Sequence, residues 1–192
     1  MKKYISVLLL VLMTLVPFSG FAGDIDPDFQ DAINLCQALG IIQNYEDGTF
    51  RPDNKVTRAE FSTILIRLLS LEQAAEAIDE PSKFNDVADN HWAKKQINLL
   101  YTLGYINGVG NGQFMPDGNV TYEQAVKTLV VILGYGVLAD TSSEPWYTTY
   151  ITIGAKIGLL KKTQFEISET LTRAQLAQLI SNALDIELLM EK

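Results

Sequence analysis

Three stretches of the chain repeat one pattern of apolar positions. Phe61, Ile64, Leu65 and Leu68, then Ala125, Leu129, Ile132 and Leu133, then Leu176, Leu179, Ile180 and Ala183 recur at spacings that place each set on one face of an α-helix. Each stripe follows a helix-start signal: Thr57-Arg58-Ala59-Glu60, Thr121-Tyr122-Glu123-Gln124 and Thr172-Arg173-Ala174-Gln175. In such a capping box the threonine hydroxyl accepts from the backbone N–H three residues on, and the Glu or Gln side chain accepts from the threonine N–H. A further helix is expected ahead of each box. It starts at Asp26-Pro27, Asp89-Asn90 or Glu144-Pro145 and ends at Gly40, Gly104 or Gly158, the usual asymmetry of helix termini. In the first of these, Ala32, Leu35, Cys36 and Leu39 form the apolar stripe, with Cys36 a core thiol. The stretches Asn44 to Asn54 and Gly108 to Asn119 are rich in Gly, Asp, Asn and Pro and read as turns. Leu71 to Ile78 prolongs a helix or forms a short one of its own.

The pattern is an internal repeat. An offset of 64 superimposes Leu35 on Leu99, Leu39 on Leu103, Gly40 on Gly104, Ile42 on Ile106, Phe50 on Phe114, Pro52 on Pro116, Val56 on Val120 and Thr57 on Thr121. A third copy follows at an offset of 54, which brings Trp146 onto Trp92 and Gly158 onto Gly104, then at 51, which brings Leu171 onto Val120 and Thr172 onto Thr121. Its connector is therefore three residues shorter. One helix pair cannot bury its own apolar face, so the copies are expected to share a core and to unfold together. The reading is an all-α protein of three helix-loop-helix repeats over 24–70, 84–135 and 138–185.

The first 22 residues depart from this pattern. Lys2 and Lys3 precede an apolar run from Ile5 to Val16, followed by Pro17 and the small-residue stretch Ser19, Gly20, Phe21, Ala22. The run is shorter than the roughly 20 residues a membrane span needs, so residues 1–22 are expected to be a signal peptide cleaved after Ala22, the alternative being an uncleaved N-terminal anchor. Its removal takes two lysines and moves the net charge from −8 to −10. Such acidity argues against nucleic acid and anionic lipid as partners. Cys36 is the only cysteine, so an exported chain has no internal disulfide.

Several motifs, in order, resemble those of the S-layer homology repeat: Asp47-Gly48-Thr49-Phe50-Arg51-Pro52, Thr57-Arg58-Ala59-Glu60, Phe84-Asn85-Asp86-Val87, His91-Trp92-Ala93 and Gly104-Tyr105-Ile106-Asn107-Gly108. The resemblance implies a pseudo-threefold, three-pronged helical assembly. Its grooves would bind an anionic secondary cell-wall polysaccharide, often through a pyruvylated sugar, and hold an exported protein at the wall or in a surface layer. The alternative is a protein-interaction or structural subunit of such a layer, with other surface-layer proteins as partners. Only Ile186 to Lys192 follow the third copy, so no cargo domain is expected there.

The resemblance places binding on Thr57, Arg58 and Glu60, on Thr121 and Tyr122, and on Thr172 and Arg173, with Asp47 and Gly48 in the loop and Trp92 and Trp146 ahead of the later repeats. Arg58 and Arg173 stand in a first helical turn, where the helix dipole disfavours a cation. Beside unpaired N–H groups they would form a carboxylate or phosphate site, the alternative being a solvated arginine or a pair with Glu60 or a neighbouring acid, and their removal is expected to weaken binding while leaving stability almost unchanged. The second copy has Tyr122 in the arginine position, so its groove is weakened, stacks an uncharged sugar, or is purely structural. The third copy keeps only Lys161, Lys162, Thr163, Gln164 and Phe165 of the loop. The tryptophans either stack on sugar faces or pack in the core or between repeats. A single histidine, His91, leaves little for nucleophilic catalysis. The Asn44 to Gly48 loop lacks calcium-loop spacing, and no enzyme activity, metal or cofactor is expected.

Overall fold

The structure, a computed structural model, describes residues 27–189 except 141, 143 and 144, and only the backbone of Pro27 and Asp28. The expected signal peptide, the start of the first repeat and the Glu144 cap lie outside the described residues. The chain forms α1 (Pro27–Ala38), α2 (Arg58–Leu68), α3 (Glu72–Glu76), α4 (Lys94–Thr102), α5 (Tyr122–Ile132), a 3₁₀ turn (Tyr135–Leu138), α6 (Tyr147–Ile157) and α7 (Arg173–Leu184). Among the described residues β-pairing is confined to isolated bridges, so the fold is all-α. No described helix is long and apolar enough to cross a membrane.

The second helix of each repeat starts where its capping box places it. Thr57 and Thr172 donate their N–H to Glu60 Oε2 and Gln175 Oε1 at 2.8 Å, and each hydroxyl accepts the return bond at 3.2 Å. The middle box is looser, with Thr121 N–H to Gln124 Oε1 at 3.3 Å. The first helices agree with expectation at their ends, where Gly40, Gly104 and Gly158 take φ of 70°, 76° and 87°, values that suit a residue without Cβ.

Two details differ from the sequence reading. The helix expected at Asp89-Asn90 begins only at Lys94, because Asp89 accepts from Ser82 N–H at 2.8 Å and His91 Nδ1 accepts from Ala93 N–H at 3.1 Å, holding the segment as turns. On α1 the buried face is Ala32, Ile33 and Cys36, while Leu35 and Leu39 are 38% and 56% exposed. The face that meets α7 is rotated from the stripe the repeat alignment suggested.

The packing runs between repeats. Close pairs are α2 with α4, α5 with α6, and α1 with α7, whereas the two helices of any one repeat do not pack on each other. Each second helix thus takes the first helix of the following repeat, and the last takes the first of all. At the centre the residues just before the three threonines bond in a cycle: Val56 N–H to Leu171 O at 3.0 Å, Leu171 N–H to Val120 O at 3.0 Å and Val120 N–H to Val56 O at 2.9 Å. All three are buried, inside one apolar core drawn from every repeat. The cycle satisfies backbone groups that burial would otherwise leave unpaired at a cost of about 1–3 kcal/mol each.

Candidate functional site

The starts of α2 and α7 are where the repeats meet. Arg58 Nε donates to Phe114 O at 2.6 Å and Nη2 to Asn107 O at 2.8 Å, with the guanidinium 4.3 Å above the Phe114 ring. Arg173 does the same one junction away, from Nε to Phe50 O at 2.8 Å and from Nη2 to Gln43 O at 2.6 Å, over Tyr45 at 4.5 Å and Phe50 at 4.7 Å. Gln43 and Phe50 are the residues 64 positions before Asn107 and Phe114, so the two arginines occupy equivalent sockets. Burial lowers both guanidinium pKa values, yet arginine remains a cation at physiological pH.

These sockets correct the expected open helix end. The N–H groups of Arg58 and Ala59 donate to Gly118 O and Pro116 O, and those of Arg173 and Ala174 to Asn54 O and Pro52 O. The next N–H is held by the capping threonine. An anion would therefore meet the guanidinium edge rather than backbone donors. Glu60 is not paired with Arg58: its carboxylate accepts from Thr57 and from the Tyr45 hydroxyl at 3.3 Å.

Each socket opens into a groove. The groove at Arg58 encloses about 330 Å³, lined by Asn107, Phe114, Gln124, Lys127 and Trp146 among others. That at Arg173 encloses about 160 Å³ and is lined by Gln43, Tyr45, Glu60, Arg67 and Trp92. Position by position they correspond: arginine from one repeat, loop and second helix from the next, tryptophan from the one after. Trp92 and Trp146 are 60% and 40% exposed, which decides against a core role for either.

The remaining expected residues lie elsewhere. Thr57, Thr121 and Thr172 are caps rather than groove walls. Asp47 accepts from Thr49 and Arg51, which holds its carboxyl well below the usual range, and Gly48 turns the same loop at φ 81°. Both stand outside the two grooves. Tyr122 is buried, its ring 4.7 Å from Phe165, and the neighbouring Glu123 accepts from Ser168 N–H at 3.0 Å in the shortened third connector. Lys127, Tyr45 and Arg67 also line the grooves, and nothing local in the sequence marks them, while Gln124 is marked only as a helix cap. The repeat register relates Lys127 to Thr63, but only the closure of the repeats puts either beside a tryptophan.

The family model of the S-layer homology domain matches residues 23–62 and 83–126. The chain carries the S-layer homology domain at these two repeats. It is 35% identical over 162 residues to a cell surface protein of Thermoanaerobacter kivui, covering 84% of this chain and 20% of that protein. A middle cell wall protein of Brevibacillus brevis is 27% identical over 168 residues, 88% of this chain and 16% of the relative. A cellulosome-anchoring protein of Acetivibrio thermocellus is 33% identical over 96 residues, 50% of this chain and 21% of the relative. The chain thus spans about a fifth or less of such proteins. By name these relatives are cell-surface, cell-wall and cellulosome-anchoring proteins.

Proposed function

We propose that this S-layer homology chain binds an anionic secondary cell-wall polysaccharide, without catalysis, in the grooves at Arg58 and Arg173. The observation that carries this is the pairing, twice over, of a guanidinium edge with an exposed tryptophan across one concave surface. A planar cation suits a carboxylate or phosphate, and an indole beside it offers an apolar face for a sugar ring. In the same proposal residues 1–22 are a removed signal, 138–185 are a third S-layer homology repeat, and the cyclic closure is a pseudo-threefold assembly. A pyruvylated sugar would satisfy the guanidinium.

Sedimentation with cell-wall sacculi, with and without their secondary polymer, is the direct test. The chain should sediment only with polymer-bearing walls, and a Trp92→Ala, Trp146→Ala double variant should lose most of that binding while melting near the parent temperature. If the double variant binds as the parent does, the grooves are not the site. Retention by a surface-layer protein in place of walls would then favour a structural subunit.

A further inference from the structure

The two grooves share a frame but differ at the positions that set charge. Where the groove at Arg173 has Glu60, the groove at Arg58 has Gln124. Where the first has Thr63, the second has Lys127, and where the first has Tyr45 the second has Val109. Among lining residues the groove at Arg58 therefore has two cations and no acid, whereas the groove at Arg173 has two cations, Arg173 and Arg67, and one acid, Glu60. Lys127 Nζ stands 5.3 Å from the Trp146 ring and 5.5 Å from the Tyr150 ring, and it has no hydrogen bond or ion pair among the described residues. Packing does not call for a lysine here, since Thr63 fills the matching place by donating to Ala59 O.

We propose, building on the polysaccharide reading above, that the groove at Arg58 is the acid-selective one of the pair and that Lys127 determines that selectivity. Two like charges beside one half-enclosed cavity repel, and a carboxylate or phosphate between them relieves both. The two rings fix the ammonium beside the indole that would stack the sugar, so acid and sugar face are recognised together. In the groove at Arg173, which also holds Arg67, Glu60 offsets one of the two guanidinium charges and so weakens the pull on an acidic substituent.

The test compares the parent, Lys127→Thr and Lys127→Arg on polymer-bearing sacculi, with free glucuronate, glucose 6-phosphate and glucose as competitors at constant ionic strength. Lys127→Thr should bind walls about tenfold more weakly, the loss expected of one charge-assisted contact, and Lys127→Arg should retain binding. At least one acidic sugar should displace the parent about tenfold better than glucose, and Lys127→Thr should lose that preference. A preference for glucuronate assigns a carboxylate, and one for glucose 6-phosphate assigns a phosphate. The inference is overturned if Lys127→Thr binds walls like the parent or keeps the same acid preference. Failure of the parent to sediment with any walls would instead remove the polysaccharide reading, and this inference with it.

Discussion

Arg173 combines a charge, two backbone carbonyls of another repeat and two aromatic faces at 5% exposure. Replacing it by alanine leaves Gln43 O and Phe50 O without their donors in a buried place, so Arg173→Ala should cost about 3 kcal/mol in urea denaturation. Arg173→Lys should recover little, because one ammonium cannot reproduce the planar fork that serves both carbonyls. Arg58→Ala, at a more open socket, should cost about 1–2 kcal/mol. Either result replaces the expectation from sequence that these arginines matter for binding alone. Cys36 gives a second test at this scale. It is fully buried, with its thiol 3.6 Å from Ala177 O on α7, and burial pushes its pKa from about 9 up to about 12. Between those pH values the native thiol keeps its proton while the unfolded chain releases one, so stability should fall as pH rises from about 9 towards 12. At neutral pH, iodoacetamide should modify native Cys36 only as fast as the α1–α7 contact opens.

The three capping boxes each pair a threonine with a Glu or Gln but differ in how completely they close. Thr57 and Thr172 make both bonds of the box, whereas the box at Thr121 closes loosely and its buried hydroxyl makes no well-formed hydrogen bond among the described residues. Thermal denaturation should accordingly show Thr57→Ala and Thr172→Ala each losing about 1 kcal/mol, and Thr121→Ala losing less. The middle helix is held instead by the two residues of its first turn. Tyr122 fills the arginine socket with a ring against Phe165, and Glu123 holds the turn at Ser168 where three residues of loop are missing. These two substitutions and the short connector form one adaptation, legible only once the start of α5 is seen against the loop of the third repeat. The start of α4 shows the opposite case, in which a sound local signal at Asp89 lost to a side-chain bond to Ser82.

At the scale of the molecule the decisive feature is that every helix finds its partner in another repeat. The segment 84–135 contains α4 and α5, but α2 and α6, against which they pack, lie outside it. Expressed alone it should show little helical circular dichroism, whereas residues 24–192 should unfold in one transition that coincides by circular dichroism and tryptophan fluorescence. Two separated transitions would show that the cycle through Val56, Val120 and Leu171 does not couple the repeats. By itself the sequence determined the all-α class, the second helices, the register of the repeats and the glycine ends of the first helices, because periodicity, capping chemistry and positive φ act over a few residues. Resemblance to the S-layer homology motifs also pointed to Arg58, Arg173, Trp92 and Trp146. Only the tertiary structure decided that the arginine of one repeat enters the loop of another, that the helix-end N–H groups are already taken, and that Lys127 and Trp146 share a groove. Those contacts join residues far apart in the chain, and their geometry comes from closing α1 onto α7, which no local pattern encodes.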